Sequence, residues 1–232
     1  MTHYEYCAQF FSPQSYILDV GSGRGGFVCE VARHGFKVYG VEVNPAYVQE
    51  AVTLAKDEQV APQFVQGQAE ALPFPDRTFD FVNCSEVTEH VEDPRLVLRE
   101  IFRVLKPGGR GYISFHNRFG WHDYHYNLYG INWLPRRTAE LVLSMLGKQK
   151  NDLAAGRQKL TTMHYYRYGQ VKELMTKMGF LITDIREEKI QKRCGGVLAF
   201  LVVIFYKCIR PFYFNTFHVL ATKPVDSGAI VS

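Results

Sequence analysis

Apolar positions in this chain fall into short runs separated by stretches where they recur every three to four residues. That alternation predicts strands followed by helices. Tyr16–Val20 is a short apolar run holding one acid, long enough for a buried strand. Gly21, Gly23, Gly25 and Gly26 follow at once, and Phe27 to His34 reads as a helix with Phe27, Val28 and Val31 on one face. Gly35 is a plausible C-cap before a second strand, Lys37 to Val41. Asn44 and Pro45 have the chemistry of an N-cap and a first helical residue for a helix through Lys56. Gln63–Gln66 is a third strand, and Thr78 to Val82 a fourth at the sheet centre. Asp93-Pro94 opens a helix from Arg95 to Leu105, with Leu96, Val97, Ile101, Val104 and Leu105 at helical spacing. A tight turn, Leu105 to Gly109, leads into a fifth strand, Gly111 to Phe115. Beyond it the pattern gives an amphipathic helix over 134–146 and a helix over 169–178 ended by Gly179. A sixth strand over 179–185 and a last, antiparallel strand over 217–222 follow.

Composition narrows the class. The chain has 232 residues, 47% of them hydrophobic, which suits one α/β domain with room for insertions. A formal charge of +4 without a clustered patch gives no reason to expect nucleic acid. Cys7, Cys29, Cys84, Cys194 and Cys208 form no C-x-x-C pair, which argues against a disulfide framework or a zinc site. The first residues lack an apolar signal core, so a reducing cytoplasm is the default expectation.

The glycine turn carries the first chemical signal. Strand, glycine turn and helix place a ligand at the carboxyl end of a parallel sheet. Gly21-x-Gly23-x-x-Gly26 fits a dinucleotide pattern, but alone that match is weak. Asp19, two residues before the first glycine, discriminates: a carboxylate there repels a pyrophosphate and suits a cationic ligand. Glu42, on the order of 20 residues past the turn, suits ribose hydroxyls in nicotinamide enzymes and methyltransferases alike.

The segment Asp19-Val-Gly-Ser-Gly-Arg-Gly25 resembles the first motif of class I S-adenosylmethionine-dependent methyltransferases. Gly67-Gln-Ala-Glu-Ala-Leu-Pro-Phe74 resembles that family's G-D-A-E-x-L-P-F segment, Glu89 to Pro94 its E-H-V-x-D-P, and Leu105 to Gly109 its L-K-P-G-G before a strand. Together they extend the likeness from about Tyr16 to Phe115, and within the family they resemble the ubiquinone and menaquinone biosynthesis subgroup. The resemblance implies a Rossmann-like sheet of seven strands, the last antiparallel, with helices on both faces and an inserted lid. It implies S-adenosylmethionine held by Asp19, Gly21, Gly23, Gly25 and Glu42, with Gln68 and Ala69 at the adenine and Asn83 and Ser85 near the methionine moiety. The family's aspartate is Gln68 here, whose carbonyl can still accept from an adenine amino group. Family members often carry helices ahead of the first strand, and residues 1–15 leave room for little more than a turn or two.

The acceptor must be read from what lies outside this core. Residues 116–163 fall where relatives insert acceptor-binding elements and are read as an acceptor lid; 164–222 completes the single domain, with a hydrophobic insertion at 195–212. His116, His122 and His125 are candidates for a general base, pocket lining or loop hydrogen bonding, and H-D-x-H over 122–125 is not a standard zinc set, so no metal is assigned. His90 is either a polar pocket wall or a helix-end histidine satisfied by backbone. Val197 to Tyr206 is a ten-residue apolar run, about 15 Å as a helix and too short to span a bilayer. Lys189, Lys192, Arg193, Lys207 and Arg210 flank it, which suits a membrane-surface contact; a buried helix or dimer face is the alternative. Tyr168-x-x-x-Lys172 matches the catalytic pair of short-chain dehydrogenases at one spacing only and is discounted. The expected function is methyl transfer to a small-molecule or lipidic acceptor, at oxygen or carbon. A non-catalytic adaptor and an NAD(P)-dependent oxidoreductase are the alternatives, and the oligomeric state is left open.

Overall fold

The computed structural model describes residues 1–150 and 158–225. Thr2 and Glu5 form a reciprocal cap on the first helix, α1 (His3–Ala8). There follow β1 (Tyr16–Val20), α2 (Gly26–Arg33), β2 (Lys37–Glu42), α3 (Pro45–Asp57), β3 (Gln63–Gln66), β4 (Phe79–Cys84), α4 (Pro94–Val104) and β5 (Leu105–His116). A short hairpin, β6 (His122–Asp123) and β7 (Leu128–Tyr129), precedes a single 3-10 turn at Ile131–Trp133 and α5 (Arg136–Met145). The chain closes with α6 (Tyr168–Lys177), β8 (Leu181–Asp184), α7 (Ile185–Arg193), α8 (Gly196–Tyr213) and β9 (Thr216–Thr222).

Seven strands form one sheet in the order β3-β2-β1-β4-β5-β9-β8. Pairing is parallel except along β9, which runs antiparallel to both β5 and β8. This is the doubly wound arrangement expected, with β4 at the centre. The order reverses between β1 and β4, so the crevice at their carboxyl ends is where a ligand binds in such sheets. One face packs Leu18, Val82, Ile113 and Val219 under α4 and α6. The other packs Ile17, Phe81, Tyr112 and Leu220 under α1, α2 and α7.

Four elements differ from the sequence reading. The turn at 105–109 is absorbed into β5 as a bulge: Phe79 pairs with Leu105 but Phe81 with Arg110. Gly108 (φ +78°) and Gly109 there bond the backbone of Lys223 on the β9 side. The β6–β7 hairpin and α7 were not anticipated. The apolar run at 197–206 belongs to an 18-residue helix, long and apolar enough by composition to cross a membrane, rather than to a ten-residue piece. Of the polar stretch over 148–159, residues 151–157 lie outside the described residues.

Candidate active site

The mouth of the crevice is built around β1. At its end the amides of Gly21 and Ser22 both donate to the carbonyl of Val41, at 2.8 and 2.9 Å, which pins the turn to the end of β2. Gly21 has φ +69°, and a Cβ there would stand 2.4 Å from a methyl of Val87, so no other residue fits. Gly23 faces open space, and its N–H donates to Glu42 Oε2 at 2.9 Å, while Asn44 N–H donates to Oε1 at 2.9 Å. Glu42 is thereby fixed at the mouth.

Asp19 does not face the mouth directly; it is buried. Asn83 Nδ2 donates to its carboxylate at 2.7 Å, and the amide oxygen of Asn83 lies 3.0 Å from His3 Nε2. Burial pushes the Asp19 carboxyl up to about 7; the Asn83 hydrogen bond opposes the shift and the nearby charge of Glu42 adds to it. Beside it, Ser22 Oγ is buried with no hydrogen-bond partner among the described residues. A buried acid without a cation and an unsatisfied hydroxyl beside an open glycine turn suit a cationic ligand that carries hydroxyls. Gln68 and Ala69 follow β3, Ser85 follows β4, and all three flank this point from neighbouring strand ends. Gly25 has a packing role: it is the left-handed N-cap of α2, where a Cβ would meet Ala51 of α3 at 2.8 Å. Sequence reasoning missed His3, which stacks between Phe27 and Tyr112 at the crevice; nothing in the sequence around it marks this role.

Of the three candidate histidines, His116 and His125 meet around Glu89, with ring centres 4.6 Å apart, and His122 stands apart. His116 Nε2 lies 2.7 Å from Glu86 Oε2 and 3.1 Å from Glu89 Oε1. Burial opposes charge on this imidazole, but the two carboxylates prevail and hold it protonated up to about 10. It is therefore a charge partner at neutral pH, not a base. His125 lies deeper in the lid, its Nε2 3.2 Å from His90 Nε2 and its Nδ1 3.1 Å from the Tyr165 hydroxyl, which donates to Asp123 at 2.8 Å. Because Tyr165 donates to Asp123, it must accept from His125 Nδ1–H. Burial, with the neighbouring charge of His116, drives the His125 imidazole down to about 4, so its Nε2 accepts from His90. His90 thus belongs to the lid network, its ring meeting Gln158 and His125. Glu89 is fully buried and directs its carboxylate into this cluster. Two triads, Glu89–His90–His125 and Glu86–Glu89–His116, bring their ligand atoms within 4.8 Å of one another, a donor set able to hold a divalent ion.

His122 instead lines a cavity of about 560 Å³ beside the crevice. Its walls include Glu86, Arg186 and His218 together with Trp121, Tyr124 and Tyr213. Glu86, the first residue turned outward after β4 and Ser85, has φ +59°, unusual for a side chain of its size. Its amide donates to Ser114 Oγ at 2.8 Å, and the His116 imidazolium holds its carboxyl down at about 2 against the cost of burial. His218 Nδ1 lies 2.8 Å from the Tyr112 hydroxyl, and burial, with the neighbouring Arg186 charge, keeps the imidazole neutral to about 4. Sequence reading missed both His218 and Arg186. Each sits in an ordinary strand or helix pattern, and only the antiparallel return of β9 brings them to the carboxyl end of β4.

The glycine turn, Asp19, Glu42 and Asn83 all lie within or beside the stretch that a protein-family model, described as a methyltransferase domain, matches at residues 18–113. Over residues 18–113 the chain resembles a methyltransferase domain. The chain is 32% identical over 140 residues to a ubiquinone biosynthesis O-methyltransferase of Coxiella burnetii, covering 60% of this chain and 56% of that relative. It spans about half the length of the curated relatives it matches. A SAM-dependent methyltransferase structure from Methanosarcina mazei superposes with a TM-score of 0.64 at 20% identity, over 97% of this chain and all of the other. Phosphoethanolamine N-methyltransferase 2 of Haemonchus contortus, solved with S-adenosyl-L-methionine, gives 0.63 at 20% identity over 95% and 52%. These likenesses bear out the Rossmann-like fold and the family resemblance, which extends beyond the glycine motif.

Proposed function

We propose that the protein transfers a methyl group from S-adenosylmethionine to a small or lipid-like acceptor held in the aromatic-walled cavity. The bound donor supplies an electrophilic methyl on a cationic sulfonium. Asp19 and Asn83 form the anionic floor of the crevice, Glu42 accepts from ribose hydroxyls, and Gln68 and Ala69 border the adenine. The observation that carries this reading is the stranded acid at Asp19 beneath the open turn at Gly23, inside the matched stretch. The remaining work of the chain is to hold the acceptor in line and keep water out. Where the acceptor loses a proton, neutral His218 with its Tyr112 partner is the base on the cavity wall; His116 is already protonated. A relative named for O-methylation supports oxygen as the attacking atom.

The membrane reading belongs here too. Val197, Phe200, Leu201 and Phe205 of α8 lie 57–76% exposed on one face, while Val203 and Tyr206 dock the opposite face onto the domain. The helix ends at Tyr213, on the cavity wall. A helix lying in the membrane surface would bring the cavity mouth to the bilayer and admit a lipid-like acceptor. The basic flank is largely spent internally: Lys192 pairs with Glu188, Lys207 with Glu187 and Arg210 with Asp184. Apolar burial, more than attraction to anionic lipid, drives this docking. Free thiols at all five cysteines suit a cytoplasmic membrane face.

Calorimetric titration with S-adenosylhomocysteine tests the donor site. Micromolar binding, weakened at least tenfold by Glu42→Ala, is expected; a folded protein that takes up none of the ligand overturns the reading and favours the non-catalytic adaptor.

A further inference from the structure

The geometry points to an anion subsite at Arg186: the acceptor carries a carboxylate or phosphate that seats on this guanidinium while its apolar body lies against the aromatic walls. The inference rests on the methyl-transfer reading of the cavity and names the chemistry of the acceptor.

Arg186 lines the cavity with His218 and sits over Phe214, its guanidinium carbon 4.0 Å from the ring centre. Its Nη1 is shielded from solvent and has no hydrogen-bond partner among the described residues. A buried arginine normally has a carboxylate facing it. Here each nearby candidate is committed elsewhere. Asp184 takes Arg210 at 2.9 Å and the Tyr206 hydroxyl at 2.8 Å. Glu187 takes Lys207 at 2.8 Å, and Glu86, on the same cavity wall, is held by His116 at 2.7 Å. Burial accordingly pulls the Arg186 guanidinium below its usual range. A cation left without a hydrogen-bonded counter-charge on a cavity wall, seated over an aromatic ring, is prepared for a planar or tetrahedral oxyanion from outside. The walls decide what else that anion carries. Trp121, Tyr124, Tyr129 and Tyr213 remain 41–68% exposed around the mouth, apolar surface far larger than a bare inorganic anion covers.

Calorimetry with 1-naphthyl phosphate, uncharged 1-naphthol and inorganic phosphate, without donor, tests the subsite. Naphthyl phosphate should bind at least tenfold tighter than either of the others. Arg186→Gln should remove the preference over naphthol, and Arg186→Lys should recover part of it. Arg186→Gln should also leave the thermal midpoint unchanged or raised, since it removes an unmatched buried charge. Three results overturn the subsite: equal binding of phosphate ester and alcohol, a preference that survives Arg186→Gln, or inorganic phosphate binding as tightly as the ester. S-adenosylhomocysteine affinity should be unaltered in Arg186→Gln. Failure of the unmutated chain to bind S-adenosylhomocysteine would sink the methyl-transfer reading, whereas the naphthyl titration judges the anion subsite separately.

Discussion

Asp19 shows how burial can reset the charge state of a single side chain. Its carboxyl titrates near 7 in the folded chain, far above the ordinary aspartate value of 3.8, because burial disfavours the charged form. A carboxyl raised in this way binds its proton more tightly folded than unfolded. Its stabilising contribution is present below pH 4 and is lost as the pH climbs toward 7. Asp19→Asn should therefore be more stable than the unmutated chain at pH 8, by about 2 kcal/mol in urea unfolding, with the gap closing toward pH 4. A cationic donor favours the ionised acid, so donor uptake at pH 6.5 should release a proton, visible as a dependence of calorimetric heat on buffer ionisation enthalpy. His116 has the opposite sense of charge. Its pairs with Glu86 and Glu89 stabilise the fold below the ordinary histidine value of 6.5 and fade as the pH rises toward about 10. Removing the imidazole in His116→Gln leaves Glu89 buried without its cation and should cost about 3–5 kcal/mol at pH 7. Urea unfolding across pH 7 to 10 checks it: the unmutated chain should lose stability over that range and the variant should not.

At the scale of elements, α8 holds the feature least like a soluble enzyme. Its inward face is fixed by Val203, Tyr206 and the Arg210–Asp184 pair, and its outward face is apolar and uncovered. Lys207 and Arg210 read in sequence as the basic flank beyond the apolar run. In the structure Lys207 and Arg210 find carboxylates on α7 and at the end of β8, so the helix continues through them to Tyr213. Leu201→Asp with Phe205→Asp should reduce sedimentation with liposomes by more than tenfold, since each apolar side chain contributes about 1.5–3 kcal/mol when buried. Zwitterionic and anionic vesicles should differ little, because the basic flank is mostly paired. Unchanged vesicle binding in the double variant would leave α8 to a protein partner.

On the scale of the whole molecule, α1 and α7, far apart in sequence, meet under one face of the sheet. Tyr6 of α1 is fully buried against Tyr112, and its hydroxyl donates to Glu188 of α7 at 2.6 Å. Three residues earlier, His3 reaches Asn83 and through it Asp19. The six-residue α1, the turn or two that residues 1–15 leave room for, thus reaches the end of β4. Tyr6→Ala should destabilise the fold by about 3–5 kcal/mol in urea unfolding. It should also weaken S-adenosylhomocysteine binding several-fold, because α1 carries His3; donor affinity that survives the loss of Tyr6 would separate α1 from the site.

By itself the sequence determined the parallel core and the residues gathered at its carboxyl end. Strand runs, glycine turn, Asp19, Glu42 and Asn83 all lie at the ends of consecutive elements, where backbone geometry and local pattern dictate position. Tertiary structure decided the aromatic-walled cavity beside them. His218 arrives on an antiparallel strand from more than a hundred residues beyond Glu86, and Arg186 stands at the start of a helix whose pattern looks ordinary. Whether a histidine is a base or a clamped cation depends on which carboxylates long-range folding sets beside it: Glu86 and Glu89 for His116, none within bonding distance for His218. Charge states at such points follow from burial and neighbours in space, and neither is written in the order of residues along the chain.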